Sequence, residues 1–257
     1  MNLEKKYNFF SKNGYCIIDL FNKNEINLLI KTINQRLITL SKNNKSLKTK
    51  ILNNKIDKYH EFILNDEEHH ILMKSNSRYI QIEEKIKKKI YNKNILYILD
   101  KLWNHKHFRI STIFGAEKIL KNNCASFRIA RPYKYFKADV AGLHADGNYD
   151  GDVKDDYDNL VTIWVPLKGF SSKYTLKLAP KSHHYNHAKQ LIKNKNTLQP
   201  NLKKNYISKF DFIRPNLHIG QGIIFHSNLL HGGSYNLGSK TRVSIDFRFI
   251  NLNKFTI

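Results

Sequence analysis

A chain of 257 residues that is 41% hydrophobic and 12% aromatic has enough apolar side chain for a sizeable core, which excludes a disordered chain. No apolar run approaches a membrane span, and the charged start Met1-Asn2-Leu3-Glu4-Lys5-Lys6 lacks the apolar region of a signal peptide, so the expected compartment is the cytoplasm. The excess of 44 Lys and Arg over 21 Asp and Glu gives a net charge of +23, but the lysines are scattered and form no nucleic-acid module, so an anionic small molecule is the expected partner and nucleic acid is not.

The first element spans Asn8 to Leu20, with Gly14-Tyr15-Cys16-Ile17-Ile18 as a short strand entered by a glycine turn. Asn24 is the expected cap of a helix in which Ile26, Leu29, Ile30, Ile33 and Leu37 recur at helical spacing. The polar, lysine-rich stretch from Ser41 to Lys50 reads as a loop. Helical spacing returns from Lys58 to Leu102, through Phe62, Ile63, Ile82, Ile86 and Ile90. Within it the charge run Glu83-Glu84-Lys85-Ile86-Lys87-Lys88-Lys89 reads as a solvated face. Ile95 to Leu99, with Leu102 and Trp103, is expected to close the helical part against the core. Cys16 and Cys124 sit among apolar residues and are expected to be buried thiols, neither disulfide nor metal ligands.

After residue 105 the pattern changes to short strands: Phe108 to Phe114, Ala125 to Pro132, Leu160 to Leu167, Thr175 to Pro180, Gly222 to Phe225 and Thr241 to Ile250. Strands gathered in one block, with helices before it, argue for a sandwich or jelly roll and against a doubly wound sheet. The expected class is α+β, mainly β. One domain is expected over 1–257, a largely helical part at 1–104 packing on a jelly-roll core at 105–257. Nothing in the sequence sets an oligomeric state.

The chemistry centres on Gly142-Leu143-His144-Ala145-Asp146-Gly147. In an extended strand the side chains at i and i+2 leave the same face, so His144 and Asp146 can offer an imidazole nitrogen and a carboxylate oxygen to one metal. A third ligand must come from His183, His184, His187, His218, His226 or His231. His231 is favoured because Gly232 and Gly233 follow it, where backbone can approach a ligand closely, and because Arg242 lies 242 − 231 = 11 residues further on. Two histidines and one carboxylate, with other positions open, suit a non-haem Fe(II) oxygenase. Arg242 and Ser244 share a strand face and present a guanidinium fork and a hydroxyl, the equipment for a carboxylate.

These residues, in this order, resemble the phytanoyl-CoA dioxygenase family of Fe(II)/2-oxoglutarate-dependent oxygenases. The likeness runs from Phe10 to Phe249, through Gly14-Tyr15, His144-Ala145-Asp146, Thr162 to Leu167, Leu176 to His183, Gly220 to His226, His231 to Asn236 and Thr241-Arg242. It implies a double-stranded β-helix with Fe(II) on His144, Asp146 and His231, 2-oxoglutarate clamped by Arg242, and Trp164 near that co-substrate. Two positions depart from the family pattern, Lys181 where glycine is usual and Gln221 where aspartate is usual, and both fall at turns. With Asp146 present, hydroxylation of an unactivated C–H by O2, with release of succinate and CO2, is the expected reaction. A non-catalytic jelly roll that holds a metal or an anion is the alternative.

Each residue also has a plainer role. Arg242 could pair with Asp246, Trp164 could be core, and the other histidines could be structural. Arg128 and Arg131, on the strand before the metal motif, need an anion if buried, which substrate or a structural salt bridge would supply equally well. The stretch from Asn148 to Asp158 sets five aspartates into a basic chain. It reads as a solvated loop or as a lid whose Tyr149, Asp155 and Asp156 meet substrate.

Overall fold

Asparagine caps the longer helices. The computed structural model describes residues 2–73, 77–104, 108–111, 124–136, 139–140, 142–148, 160–171, 174–187, 190–192, 201–232 and 235–251. Helix α1 (Leu3–Asn13) begins at Asn2, whose Oδ1 accepts the Lys5 N–H at 2.8 Å. Gly14 closes it in the left-handed conformation (φ 78°) and hands the chain directly to strand β1 (Tyr15–Asp19). The stretch from Asn8 to Leu20 is therefore a helix end and a strand, not one element.

Helix α2 (Lys23–Leu40) is capped by Asn22 and not Asn24. The Asn22 side chain accepts from the N–H groups of Asn24 and Glu25, and Glu25 Oε2 accepts the Asn22 N–H at 2.7 Å. This reciprocal cap satisfies two orphan donors at once, and Asn24, already inside the first turn, cannot supply it.

Ser41 to Lys50 is not a loop throughout. Asn44 caps helix α3 (Lys45–Asn53), which is held by two buried residues four apart, Leu47 and Ile51, while Lys45 and Lys48 stay in solvent and Lys50 pairs with Glu68. The segment from Lys58 to Leu102 is likewise no single helix. It breaks into α4 (Tyr59–Phe62), α5 (Asp66–Met73), strand β2 (Tyr79–Gln81), α6 (Glu84–Ile90) and α7 (Lys93–Trp103). Helix α6 buries Ile86 and Ile90 and leaves most of its charge run exposed. Helix α7, capped by Asn92, buries Ile95, Ile98, Leu99 and Trp103. Both cysteines are buried, free thiols.

The remaining strands are β3 (Phe108–Ser111), β4 (Cys124–Ala130), β5 (Leu160–Lys168), β6 (Lys177–Leu178), β7 (Leu191–Ile192), β8 (Asn201–Leu202), β9 (Gln221–His226), β10 (His231–Gly232) and β11 (Arg242–Asn251). The large antiparallel sheet has the order β1-β9-β5-β11-β4-β2, and β3 adds to the far end of β11. A smaller layer pairs β10 with β6 and is widened by bridges at His144–His231 and Leu178–Ile213. Two antiparallel layers with helices behind the larger one form the expected double-stranded β-helix. Among the described residues no helix is long and apolar enough to cross a membrane.

Strand alternation decides which side chains face which layer. On β11, Val243, Ile245, Phe247 and Phe249 enter the core that the helices cover, whereas Arg242, Ser244, Asp246 and Arg248 line a pocket on the other side. On β5, Val161, Ile163 and Val165 go to the core, while Thr162 and Trp164 go to the pocket. Where β11 meets β5 the register slips: Val243 faces Lys168 and Ser244 faces Pro166. Proline has no N–H to donate, and the bulge at this point lets both strands continue.

Beneath α5 lies an ion cluster built on a buried arginine. Arg131 donates to both oxygens of Asp139 (Nε–Oδ2 2.9 Å, Nη2–Oδ1 2.8 Å), to Asp66 and to the Ile63 carbonyl. His69 sits 3.4 Å from Asp139 and shares a hydrogen bond with the Tyr59 hydroxyl at 3.2 Å. Burial pushes His69 down to about 4, against the pull of Asp139, whose charge is already engaged by Arg131. The unfolded chain therefore takes up this proton first as pH falls. Stability from neutral His69 is present above about pH 6.5 and is lost progressively toward pH 4, on the order of 3 kcal/mol in all. Urea melts between pH 7 and 4 should show a shallower decline in His69→Gln than in wild type.

Candidate active site

The backbone brings the two histidines together before any metal does. His144 and His231 form an antiparallel bridge, each N–H donating to the other's carbonyl at 2.9 and 2.8 Å. Each ring is then turned by its own chain: His144 Nδ1 pairs with the Gly142 carbonyl at 2.8 Å and His231 Nδ1 with the Leu229 carbonyl at 2.9 Å. With Nδ1 as the donor, each Nε2 is an acceptor aimed into the pocket, as metal-binding histidines are usually oriented.

Both Nε2 atoms face Asp146 Oδ1, at 3.8 Å from His144 and 3.7 Å from His231. One donor atom from each residue lies within 4.8 Å of the others, the only such group of three among the described residues. Asp146 does not continue a strand from His144. It opens a single 3-10 turn (Asp146–Asn148), so the common direction of the two side chains comes from a bridge followed by a turn.

Gly232 makes this closeness possible. Its φ is 109°, and a Cβ there would stand 2.5 Å from the Gly142 oxygen and 3.0 Å from His144 Nδ1. The close approach anticipated after His231 is thus to the partner histidine's segment; Gly233 lies outside the described residues.

Asp146 is buried and held at both oxygens. Thr162 Oγ1 donates to Oδ2 at 2.6 Å and Arg248 Nη2 to Oδ1 at 3.1 Å. Burial opposes its charge, but Arg248 foremost, then the two histidines and the Thr162 hydroxyl, hold the carboxyl well below the usual carboxylate range. Burial pushes His144 down to about 3 and lowers His231 too, so both imidazoles are neutral. Two neutral imidazoles and one carboxylate, in a site 9% exposed or less at each residue, are a donor set that a divalent iron fits.

Arg242 lies in the same pocket, with its guanidinium carbon 5.9 Å from the Trp164 ring centre and Nη1 donating to the Tyr174 carbonyl at 2.9 Å. Burial, and then the charges of Arg214 and Arg128, push its pKa down to about 10. No ion pair joins it to Asp246; Arg128 Nε takes that carboxylate at 3.6 Å. Ser244 lines the pocket two residues along the strand.

Of the two anions open to Arg131, substrate or a structural salt bridge, the structure shows the second: its buried guanidinium is held by Asp139 and Asp66 and stacks 3.7 Å over the Phe136 ring. Those acids leave it no free charge for a ligand. Tyr149, Asp155 and Asp156 lie outside the described residues.

His187 and His226, with the His183 carbonyl, brace the hairpin that ends in His231. His187 joins the Tyr206 hydroxyl to the Asn228 carbonyl, His226 Nδ1 accepts the Asn228 N–H at 3.1 Å, and His183 Nε2 pairs with the Ser11 carbonyl. The buried Ser182 hydroxyl accepts the Leu230 N–H at 2.8 Å, one residue before His231. Lys181 takes the left-handed φ of 68° that glycine would adopt more easily, and Gln221 closes its turn through His218 and Asp19. Both departures from the family pattern therefore preserve the turn. Sequence reading missed Thr162 and Arg248. The signal for Arg248 was the i, i+2 alternation already used for Arg242 and Ser244, continued two steps further.

Fold and site together define an oxygenase of the non-haem Fe(II), 2-oxoglutarate-dependent class. A model of the phytanoyl-CoA dioxygenase (PhyH) family matches residues 10–244, and the chain belongs to that family. Among solved structures it is similar to the carbocyclase SnoK from nogalamycin biosynthesis, described as non-heme and alpha-ketoglutarate dependent (10% identity, 98% of this chain and 86% of that chain, TM-score 0.58). It is also similar to EctD from S. alaskensis, solved with 2-oxoglutarate and 5-hydroxyectoine (14% identity, 97% and 76%, TM-score 0.59). A third is the epimerase SnoN (10% identity, 97% and 83%, TM-score 0.56). At these identities the likeness is one of fold. A sequence search of curated proteins gives no match.

Substituting Arg131 should act on stability alone. Arg131→Met leaves Asp139 buried without its cation and should cost about 3–5 kcal/mol in a urea melt. At a temperature where the variant stays folded, its KM for 2-oxoglutarate should be unchanged.

Proposed function

We propose that His144, Asp146 and His231 hold Fe(II), that Arg242 with Ser244 receives the far carboxylate of 2-oxoglutarate, and that the enzyme hydroxylates an unactivated C–H of a small metabolite. The observation that carries this reading is the convergence of two neutral Nε2 atoms and Asp146 Oδ1 in a buried pocket that also contains the Arg242 guanidinium. When bound, the iron supplies O2 activation coupled to decarboxylation of 2-oxoglutarate to succinate and CO2.

The chain's own residues bind, aim and exclude water. The Gly142 and Leu229 carbonyls fix the tautomers of the two histidines, so neither needs to lose a proton before taking a metal. Arg242, buried and set among cations, gains the most from a dianionic co-substrate, and its planar fork suits a carboxylate. Trp164 forms a wall of the same pocket beside that guanidinium.

Arg128 also lines the pocket, with its side chain 37% exposed and its Nε 3.6 Å from Asp246. It is placed to meet an anionic group on the substrate, which fits a carboxylated, phosphorylated or carrier-linked metabolite. SnoK and SnoN are described as a carbocyclase and an epimerase, and product analysis would separate those outcomes from hydroxylation.

Purified protein given Fe(II) and 2-oxoglutarate without air, then O2, should release succinate. His144→Ala should lower that release at least about a hundredfold at any co-substrate concentration, because a metal ligand is lost. Arg242→Lys should keep metal binding but raise KM for 2-oxoglutarate roughly tenfold or more, since a point charge replaces a two-pronged donor. A folded wild-type protein that produces no succinate across a panel of anionic metabolites would favour the non-catalytic binding protein instead. The double variant Asp155→Asn/Asp156→Asn should raise KM for the accepted substrate with kcat little changed; an unaltered KM removes these acids from the substrate site.

A further inference from the structure

Arg248 belongs to none of the roles above, yet it touches the oxygen on which the metal site converges. Its Nη2 is 3.1 Å from Asp146 Oδ1, and that same oxygen faces His144 Nε2 and His231 Nε2 at 3.8 and 3.7 Å. The other oxygen, Oδ2, is held by Thr162 at 2.6 Å. Thr162 and Arg248 are direct cross-strand partners on β5 and β11, and both side chains lean to the pocket side. One rigid strand pair thus grips both ends of a single carboxylate.

The two grips differ in charge. A hydroxyl on Oδ2 orients the carboxylate without competing for it. A guanidinium on Oδ1 orients it too, but brings a positive charge to the atom that a divalent cation must share. A carboxylate oxygen can accept twice, so Arg248 and a metal can both use Oδ1. They would then stand as like charges a few ångströms apart in a site only 2% exposed at Asp146 and 11% at the Arg248 side chain, where repulsion is weakly screened. Arg242 lines the same pocket and adds to that repulsion, while the charge of Arg128 is partly met by Asp246 at 3.6 Å.

We infer that Arg248 is a positioning residue that aims Asp146 Oδ1 at the metal and lowers the intrinsic affinity of the site for a divalent cation, so that metal retention depends on an anionic ligand in the pocket. The inference rests on the assignment of Asp146 as a metal ligand. The dianionic 2-oxoglutarate offsets the guanidinium charges, and by linkage whatever it adds to metal affinity the metal adds to its own. A site built this way holds its metal tightly only when co-substrate is present.

Mn(II), which accepts the same oxygen and nitrogen donors, reads this directly by titration of the full-length apoprotein with and without 2-oxoglutarate. Without 2-oxoglutarate, Arg248→Met should bind Mn(II) at least about tenfold more tightly than wild type, and Arg248→Gln should do the same, because losing a buried like charge outweighs losing one of two orienting bonds while Thr162 still holds Oδ2. Arg248→Lys, which keeps the charge, should stay within about threefold of wild type. Thr162→Val should bind about tenfold more weakly, because it removes orientation and no charge.

Adding 2-oxoglutarate should tighten Mn(II) binding by a larger factor in wild type than in Arg248→Met. Mn(II) affinity in both neutral variants equal to or below that of wild type overturns the inference, as does an equal 2-oxoglutarate factor in wild type and Arg248→Met. If wild type and every folded variant bind no Mn(II) at all, the metal reading of the site fails, and this inference with it.

Discussion

Everything at this site depends on one short antiparallel contact, the bridge between His144 and His231. Two backbone hydrogen bonds at 2.9 and 2.8 Å join segments 87 residues apart in sequence (231 − 144) and set their imidazoles with ring centres 4.4 Å apart. No side-chain interaction could do this as well, because the rings are uncharged and gain little from each other. The backbone carries the constraint, Gly232 permits it, and the carbonyls of Gly142 and Leu229 turn it into a donor geometry. The hairpin that delivers His231 is in turn braced by Ser182, His187 and Asn228, polar groups buried for packing and not for chemistry.

The large sheet separates two kinds of interior with a single layer of backbone. Its helix-facing side is apolar and continuous with the helical core, so it resists rearrangement in the way close-packed interiors do. Its pocket-facing side carries Arg128, Arg242, Arg248, Asp246, Ser244 and Thr162, an expensive set of groups to bury unless they are paired. Rigid strands make that burial tolerable, since each polar side chain is presented at a fixed height and has little freedom to find a worse partner. Arg128 on β4 and Arg131 just beyond its end show how local the outcome is. Arg128 opens into the pocket, while Arg131, three residues on, is captured by Asp139 and Asp66 beneath α5.

The global charge of +23 and the local chemistry are separate matters. Lysines such as those of α6 lie in solvent and set the long-range field, whereas the cations that line the pocket are arginines held within about a strand's length of one another. An anionic ligand would be attracted by the first group and recognised by the second. The second group also acts against a divalent cation, which the pocket carboxylates, Asp146 foremost, and the neutrality of the two histidines offset.

Much of the site was legible in the chain because its logic is periodic or ordered. His144 and Asp146 two apart, Arg242 and Ser244 two apart, and His231 eleven residues before Arg242 are spacings that survive without coordinates. The helical part was less legible: the start of α2 depends on which asparagine wins the cap, a contest worth about one kcal/mol, and α3 on a buried pair, Leu47 and Ile51, set among lysines. By itself the sequence determined the fold class, the family and the identity of the residues that could meet a metal and a carboxylate. Only the tertiary structure decided that Asp146 leaves a turn and not a strand, that Arg131 is locked in a structural ion cluster, and that Thr162 and Arg248 share Asp146 between them. The physical reason is that those outcomes depend on pairing across strands and layers, and pairing partners distant in sequence leave no period for a reader to count.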